Sequence, residues 1–349
     1  METLRVGFIG LGGICRQRHL PGLMRIPGVD LVAVSNRSRA SSEAAAKEFG
    51  FASVHDDWHE IIAREDIDAV FIGTWPYMHR EMSVAALKAG KHVFCQARMA
   101  INLGGALEMR AAARAAGRVA MLCPVPFGLS VGKTVARLLA EGAVGSPRII
   151  AVRSFSGAWR DPEAPANWRK DHRLSGLNMQ TLGMYAEVLH RWFGPTRALV
   201  AEALTVTPAR RDGAGAPLDV QIPDQVSVTA RMDGGLTAQY LISGLMARPC
   251  ERIEIFGDAG ALDYDIDTET LWRVDPGGGR TVVEIPPDEA YDVKQWRVEE
   301  DFVNAVRHGA EYHPDFEDGV RYMRFVQAVH DSAAAGAVVA LDDDHPGAK

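Results

Sequence analysis

LRVGFIGLGGIC, residues 4–15, decides the fold. The apolar run ending in Gly10-Leu11-Gly12-Gly13-Ile14-Cys15 reads as a buried strand, a tight turn and the start of a helix. Gly10 permits the turn, and Gly12 lets the backbone approach a pyrophosphate held on the N–H groups that open the helix. Gly13 and Ile14 complete this turn as candidate cofactor neighbours. The third fingerprint position is Cys15, small enough for close helix–strand packing but neither Gly nor Ala. Alone, such a pattern also fits a plain glycine turn, so its weight comes from what surrounds it.

Downstream of the turn the chain alternates regularly. VDLVAVSN reads as a second buried strand, SRASSEAAAKEFG as a helix closed by glycine, then DDWHEIIARE, DAVFIGT, HREMSVAALKAG, KHVFC, NLGGALEMRAAARAAG and VAMLCPV alternate between helix and strand. That pitch predicts an N-terminal Rossmann-type doubly wound parallel sheet over 1–124. Beyond it, RIIAVRSFSG, ALVAEALTV, DQVSVTARMDGGLTAQYLIS, RIEIFGDAGALDYDI and LWRVDPGGGRTVVEI show two-residue alternation and Gly-containing turns. Residues 125–349 are therefore expected to form an α/β domain with a large, mostly antiparallel sheet open on one face, with helices at 175–193 and 296–308.

Composition narrows the function classes. The chain has 349 residues, 47% hydrophobic and 24% charged, and its net charge of −7 gives no electrostatic case for nucleic acid or an anionic membrane. Cys15, Cys95, Cys123 and Cys250 have no paired spacing, which argues against a disulfide framework or a zinc site and for a reducing, cytoplasmic location. No apolar stretch approaches the ~18 residues of a membrane span. His190, His308, His313 and His330 show no metal spacing, and Asp263, Asp265 and Asp267 are expected to coat a strand's solvent face. No metal is expected.

VGFIGLGGI…RHLPGL, DLVAVSNRS, IGTWPYMH, AALKAGKHVFC, LLAEGAVGSPRII, NWRKD, EIFGDAGAL and DGVRYMRFVQAVHDSA fall in the order seen in the Gfo/Idh/MocA oxidoreductases, which the chain resembles over nearly its whole length. The resemblance implies oxidation or reduction of sugars, cyclitols or related diols with NAD or NADP. Strand two ends in Ser35-Asn36-Arg37-Ser38-Arg39, without the carboxylate that receives a ribose 2′-hydroxyl in NAD sites. Arg37 and Arg39 are placed to pair with a 2′-phosphate, so NADP is the preferred cofactor and NAD the alternative, with Asn36 able to bond a hydroxyl. Thr74, Trp75 and His79 occupy the next family loop; Trp75 replaces a proline and either packs on the cofactor or wedges into the core.

Where the family typically reads Glu-Lys-Pro, this chain reads Gln96-Ala97-Arg98. Alanine neither donates nor titrates, while Arg98 keeps a cation for cofactor or substrate but cannot shuttle protons near neutrality. Without the proline, a cis bond before Arg98 costs about 3 kcal/mol rather than under 1, so the loop is expected to have its own shape. The family's Asp and His on the helix entering the substrate pocket align with Thr181 and Tyr185. Replacement chemistry is open to Tyr185, a phenol of reference pKa near ~10 that Arg98 or Arg169 would lower, with Thr181 adding hydrogen bonds and His172 titrating nearby. Buried packing for Tyr185 and an exposed loop position for His172 are equally compatible readings. Trp168 and Arg169 match the family's Trp-Arg pair and are expected beside the substrate, and Pro124, Pro126 and Phe127 in CPVPFG imply an apolar or narrow site.

These residues lead to an NAD(P)-dependent oxidoreductase acting on a small sugar-like or cyclic substrate. Its rivals are a redox-neutral elimination or epimerisation with retained cofactor, and a non-catalytic cofactor or sugar sensor. A homodimer or homotetramer through the open sheet is expected.

Overall fold

The computed structural model describes residues 3–125, 130–290 and 297–341. It divides into two compact units, Met1–Pro124 with Lys294–Val320, and Val125–Val293 with Arg321–Lys349.

In the first unit, six parallel strands, β1 (Leu4–Ile9), β2 (Val29–Ser35), β3 (Ser53–His55), β4 (Ala69–Ile72), β5 (His92–Cys95) and β6 (Ala120–Leu122), lie in the order 3-2-1-4-5-6. The strands β1 and β4 are buried almost throughout, the reason their sequences are apolar without alternation. Helix α1 (Leu20–Met24) follows a π-helical turn, Cys15–His19. Polar caps then start the longer helices: Ser38 accepts from the Ser41 N–H at α2 (Arg39–Phe49), Asp57 from the His59 N–H at α3 (Trp58–Ala63), and Asn102 from the Gly105 N–H at α5 (Leu103–Ala116). Between them, α4 (Pro76–Lys88) starts on a proline.

The first unit also takes in a later part of the chain. Phe8, Phe71 and Phe94 are register partners across β1, β4 and β5, and their rings stack at 5.5 and 4.6 Å. Phe302 of α9 (Val298–His308) covers this row edge-on, 5.1 Å from Phe71 and 5.7 Å from Phe94. Lys294–Val320 thus joins the first unit from within the stretch 125–349: an aromatic row on the parallel sheet takes a helical cover that sequence order did not reveal.

The second unit holds a nine-stranded sheet among the described residues, in the order β16-β15-β14-β13-β7-β12-β11-β8-β17. Its strands are β7 (Pro147–Phe155), β8 (Thr196–Leu204), β11 (Gln225–Met232), β12 (Thr237–Ser243), β13 (Cys250–Gly257), β14 (Ala261–Asp265), β15 (Thr270–Val274), β16 (Arg280–Val282) and β17 (Val339–Ala340). β9 (Ala209–Arg211) and β10 (Pro217–Asp219) pair separately. Among the described residues, only β7 and β12 of this sheet pair in parallel. The expected helix at 175–193 is instead a single turn, α7 (His172–Ser175), and α8 (Leu182–Phe193), while α6 (Gly132–Ala140) precedes β7.

On one sheet face, Phe325 of α10 (Phe316–Ala335) packs on Tyr240 at 5.1 Å and on His190 of α8 at 5.9 Å. On the other, Ile149, Val200, Leu241 and Phe256 are over 40% exposed. Asp263 corrects one expectation: it is buried on β14 and takes Arg252 and Arg280, so it does not coat a solvent face. His313 likewise meets Asp315 and Asp318, but these carboxylates receive backbone N–H groups at the start of α10, which makes the group a helix cap.

Candidate active site

The sheet order reverses direction of growth between β1 and β4, and a crevice opens at the carboxyl ends of strands flanking such a switch. Here it is a cleft of about 500 Å³ lined by the turns after β1, β2, β3 and β4. Gly10 has φ +81°, and a Cβ on it would lie 2.5 Å from Thr74 Cγ2 and 2.9 Å from the Thr74 backbone nitrogen. A Cβ on Gly73 would collide with Gly10 O and Cys15 Sγ, so the third fingerprint position is filled by the thiol against a glycine of the next loop. Cys15 is fully buried and burial pushes its pKa up to about 12, a packing group without thiolate chemistry. Gly12 is different: it is exposed on the cleft, and the nearest atom to an added Cβ is Gly73 O at 3.7 Å. This is an open cradle bounded by backbone, and it fits a dinucleotide pyrophosphate.

Of the residues expected at the cofactor, Gly10, Gly12, Asn36, Arg37, Ser38, Thr74 and Trp75 line the cleft. Asn36 does so while committed: its Oδ1 accepts from the Leu11 N–H at 2.6 Å, and its Nδ2 donates to Ser41 O at 3.1 Å. It braces the phosphate turn against the start of α2. Trp75 is 37% exposed, which rules out the core wedge.

Gly13, Ile14, His79, Gln96 and Arg98 do not line it. His79 is fully buried, with ring nitrogens 2.8 Å from Arg98 O and 2.9 Å from Thr74 O. Burial lowers its pKa, against the pull of the two carbonyls, and the ring spans the loops after β4 and β5 from behind. Gln96 donates to His19 Nε2 at 2.9 Å, and His19 Nδ1 meets Glu299, a buried chain that anchors the β5 loop to α9. The Ala97–Arg98 peptide is cis, and Arg98 is 7% exposed.

Arg39 also departs from expectation. Its guanidinium pairs with Glu43 at 2.9 Å and Asp56 at 3.3 Å, both exposed. Asp56 and Trp58 line the cleft and were not anticipated, because strand β3 is only three residues long and its sequence reads as the approach to a helix. The signal was positional: residues after each parallel strand face the crevice.

In the second unit, Tyr185 is fully buried on α8, and its hydroxyl donates to Glu251 Oε2 on β13. Burial, then the charge of Glu251, raise its pKa well above the usual phenol value. The expected lowering by an arginine is therefore reversed, and the phenol stays protonated. Ser154 of β7, the register partner of Glu251, donates to Glu251 Oε1 at 2.8 Å and lies 2.7 Å from Thr181 Oγ1. Burial raises the Glu251 pKa, opposed by the bonds from Tyr185 and Ser154. Neither Glu251 nor Ser154 was visible in sequence, since their meeting is set by strand pairing.

His172 opens α7, exposed, and takes no part in this network. Arg169 is also exposed, stacked 4.4 Å from the half-buried Trp168 ring. The next residue, Lys170, turns inward to Asp224 at 2.5 Å. Pro126 and Phe127 lie outside the described residues.

Comparison with known proteins agrees with this architecture. Residues 4–123 match the model of the GFO/IDH/MocA oxidoreductase family, NAD-binding Rossmann fold, and residues 133–263 match the GFO/IDH/MocA C-terminal domain. Levoglucosan dehydrogenase of Pseudarthrobacter phenanthrenivorans is 26% identical, over 96% of this chain and 97% of its own. The 1,5-anhydro-D-fructose reductase of Ensifer adhaerens is 33% identical over 49% of this chain and 50% of its own. Among solved structures, levoglucosan dehydrogenase in complex with NADH and L-sorbose superposes with a TM-score of 0.87 at 22% identity, covering 97% of this chain and 99% of that one. An NAD binding oxidoreductase from Klebsiella pneumoniae gives 0.85 at 25% identity, over 98% and 100%. With both models matched in order, the chain belongs to the Gfo/Idh/MocA family of NAD(P)-dependent oxidoreductases.

Proposed function

We propose that the protein interconverts a C–OH and a C=O group on a small sugar-like or cyclic polyol substrate. The observation that carries this reading is the cleft at the β1/β4 switch point, with its open Gly12 cradle, in a chain whose full-length relatives include a sugar dehydrogenase. Bound dinucleotide supplies the two-electron acceptor or donor. The protein's part is to hold it: backbone N–H groups from Gly12 onward receive the pyrophosphate, and Trp75 offers an apolar face to the ribose side.

NADP is the preferred cofactor in this reading. Arg37 is exposed on the cleft beside the Ser38 and Ser41 hydroxyls, a set that suits a 2′-phosphate. Arg39 contributes indirectly, by pairing with Asp56 and muting the carboxylate that would repel the phosphate. The exposed apolar stripe Ile149, Val200, Leu241 and Phe256 on the open sheet supports self-association.

Titration of the purified protein with NADPH and NADH, followed by oxidation assays over levoglucosan, inositols and common aldoses, tests this directly. Tighter NADPH binding and turnover of a polyol are expected. Failure to bind either nucleotide overturns the proposal.

A further inference from the structure

The end of β2 lacks a carboxylate, but the neighbouring strand supplies one. Strands β2 and β3 run parallel with Ser35 opposite His55, and one step further along the same register brings Asn36 level with Asp56. Both residues line the cleft, as do Arg37, Ser38 and Ser41. In a dinucleotide site a carboxylate at this level accepts from a ribose 2′-hydroxyl and repels a 2′-phosphate. Asp56 thus stands beside the position where an NAD-selecting acid is expected, in a cleft whose other groups there are a cation and two hydroxyls.

The charges around Asp56 are paired in a particular way. Asp57 and Glu60, the other acids at the start of α3, meet His59 and His55, each at 2.7 Å. Arg16 lines the cleft but pairs with Glu48. Arg39, the first residue of α2, is held by Glu43 one turn on at 2.9 Å, and its Nη1 reaches Asp56 Oδ2 at 3.3 Å. The guanidinium of Arg37 makes no hydrogen bond or ion pair among the described residues. The acid in the cleft is therefore taken by an arginine outside it, and the arginine beside that acid is left for a ligand.

We propose that Asp56 is the cofactor selector of this protein, and that Arg39 is the positioning residue that silences it by cancelling its charge before that charge reaches Arg37 or a 2′-phosphate. The proposal rests on the oxidoreductase reading above and lies wholly within the first unit. It gives the two arginines separate tasks: Arg37 receives the phosphate, and Arg39 acts only through Asp56. Without Arg39, Asp56 becomes the acid that strand two does not carry, and the preference moves towards NADH. More than half of each side chain in the Arg39–Asp56 pair is open to water, so the pair adds little to the fold and single substitutions there address selectivity.

The test measures NADPH and NADH affinities of the full-length protein by calorimetry, with 2′-AMP and 5′-AMP as probes of the adenosine end alone. Arg39→Ala is expected to lower the ratio of NADPH to NADH affinity about two- to fivefold, the scale of one exposed charge interaction, and to weaken 2′-AMP more than 5′-AMP. Adding Asp56→Asn to Arg39→Ala is expected to restore the ratio, because no charge is left to cancel. Arg39→Lys, which keeps the cation, should stay near wild type. Thermal unfolding curves check that each ratio is read on folded protein. A double variant as unselective as Arg39→Ala alone would mean that Arg39 meets the phosphate itself or only props α2, and overturns the proposal. So does an unchanged ratio in Arg39→Ala, or a wild type that prefers NADH; in these cases the oxidoreductase reading stands. A wild type that binds neither nucleotide brings down that reading and the selector with it.

Discussion

Substituting Gly12 by alanine separates the fold from the function. At Gly10 a side chain is excluded twice, by φ +81° and by contacts of 2.5 and 2.9 Å to Thr74. A left-handed alanine costs roughly 1–2 kcal/mol and overpacking about 1–3 more, so Gly10→Ala is expected to damage stability and nucleotide binding together. Gly12 lies outside the left-handed region, and its Cβ would come no nearer than 3.7 Å to Gly73 O. Removing unfolded-state freedom there should leave stability unchanged or raised by about 0.4–1 kcal/mol. The same methyl group would occupy space a bound pyrophosphate must use. Displacing the phosphate by an overpacked methylene costs about 1–3 kcal/mol, or roughly 5- to 150-fold in Kd. Calorimetric titration with NADPH and NADH, beside a thermal unfolding curve, measures both quantities. If Gly12→Ala unfolds like wild type and binds both nucleotides with unchanged affinity, the dinucleotide does not sit on the Gly10–Ile14 turn and the cleft assignment fails.

Other expectations are as direct. Lys170→Met should destabilise the protein by about 3–5 kcal/mol in urea unfolding, because it strips a fully buried Asp224 of its ion pair; a loss below ~1 kcal/mol would show the pair to be dispensable. Pairing it with Asp224→Asn should recover much of that loss, leaving the bonds from the Val206 and Thr207 N–H groups to carry the loop. Arg37→Ala should weaken NADPH severalfold more than NADH, and equal effects would remove Arg37 from the 2′-phosphate site. Tyr185→Phe removes a bond that holds the Glu251 pKa down, so that pKa rises further, read as a carboxylic-acid infrared band that persists to higher pH; a band that titrates unchanged would show that Tyr185 does not tune this carboxylate.

Much of the first unit is legible because its signals are local. Continuous apolar strands, polar helix caps and the Gly10–Cys15 turn each report on neighbours within a few residues, and together they define a Rossmann sheet and the crevice proposed for a dinucleotide. The missing carboxylate after β2 is local too. What sequence could not give is partner choice: Arg37 and Arg39 look alike on paper, yet only Arg37 faces the cleft, since Glu43 and Asp56 claim Arg39.

The second unit shows the same limit more sharply. Alternation marks its strands, but which strands pair, and in what register, is a long-range matter. Thr181 and Tyr185 are readable as near neighbours by their spacing along one helix. That both lead to Glu251, one through Ser154 and one directly, depends on β7 pairing with β13 so that Ser154 and Glu251 stand opposite each other beneath α8. The sequence by itself determined the two fold types and the glycine turn, because these are properties of residue type and short spacing. Tertiary structure decided which arginine faces the cleft, that α9 completes the first sheet, and that a carboxylate 66 residues from Tyr185 sits within reach of the hydroxyls around α8, because burial and charge pairing depend on distances in space that spacing along the chain does not encode.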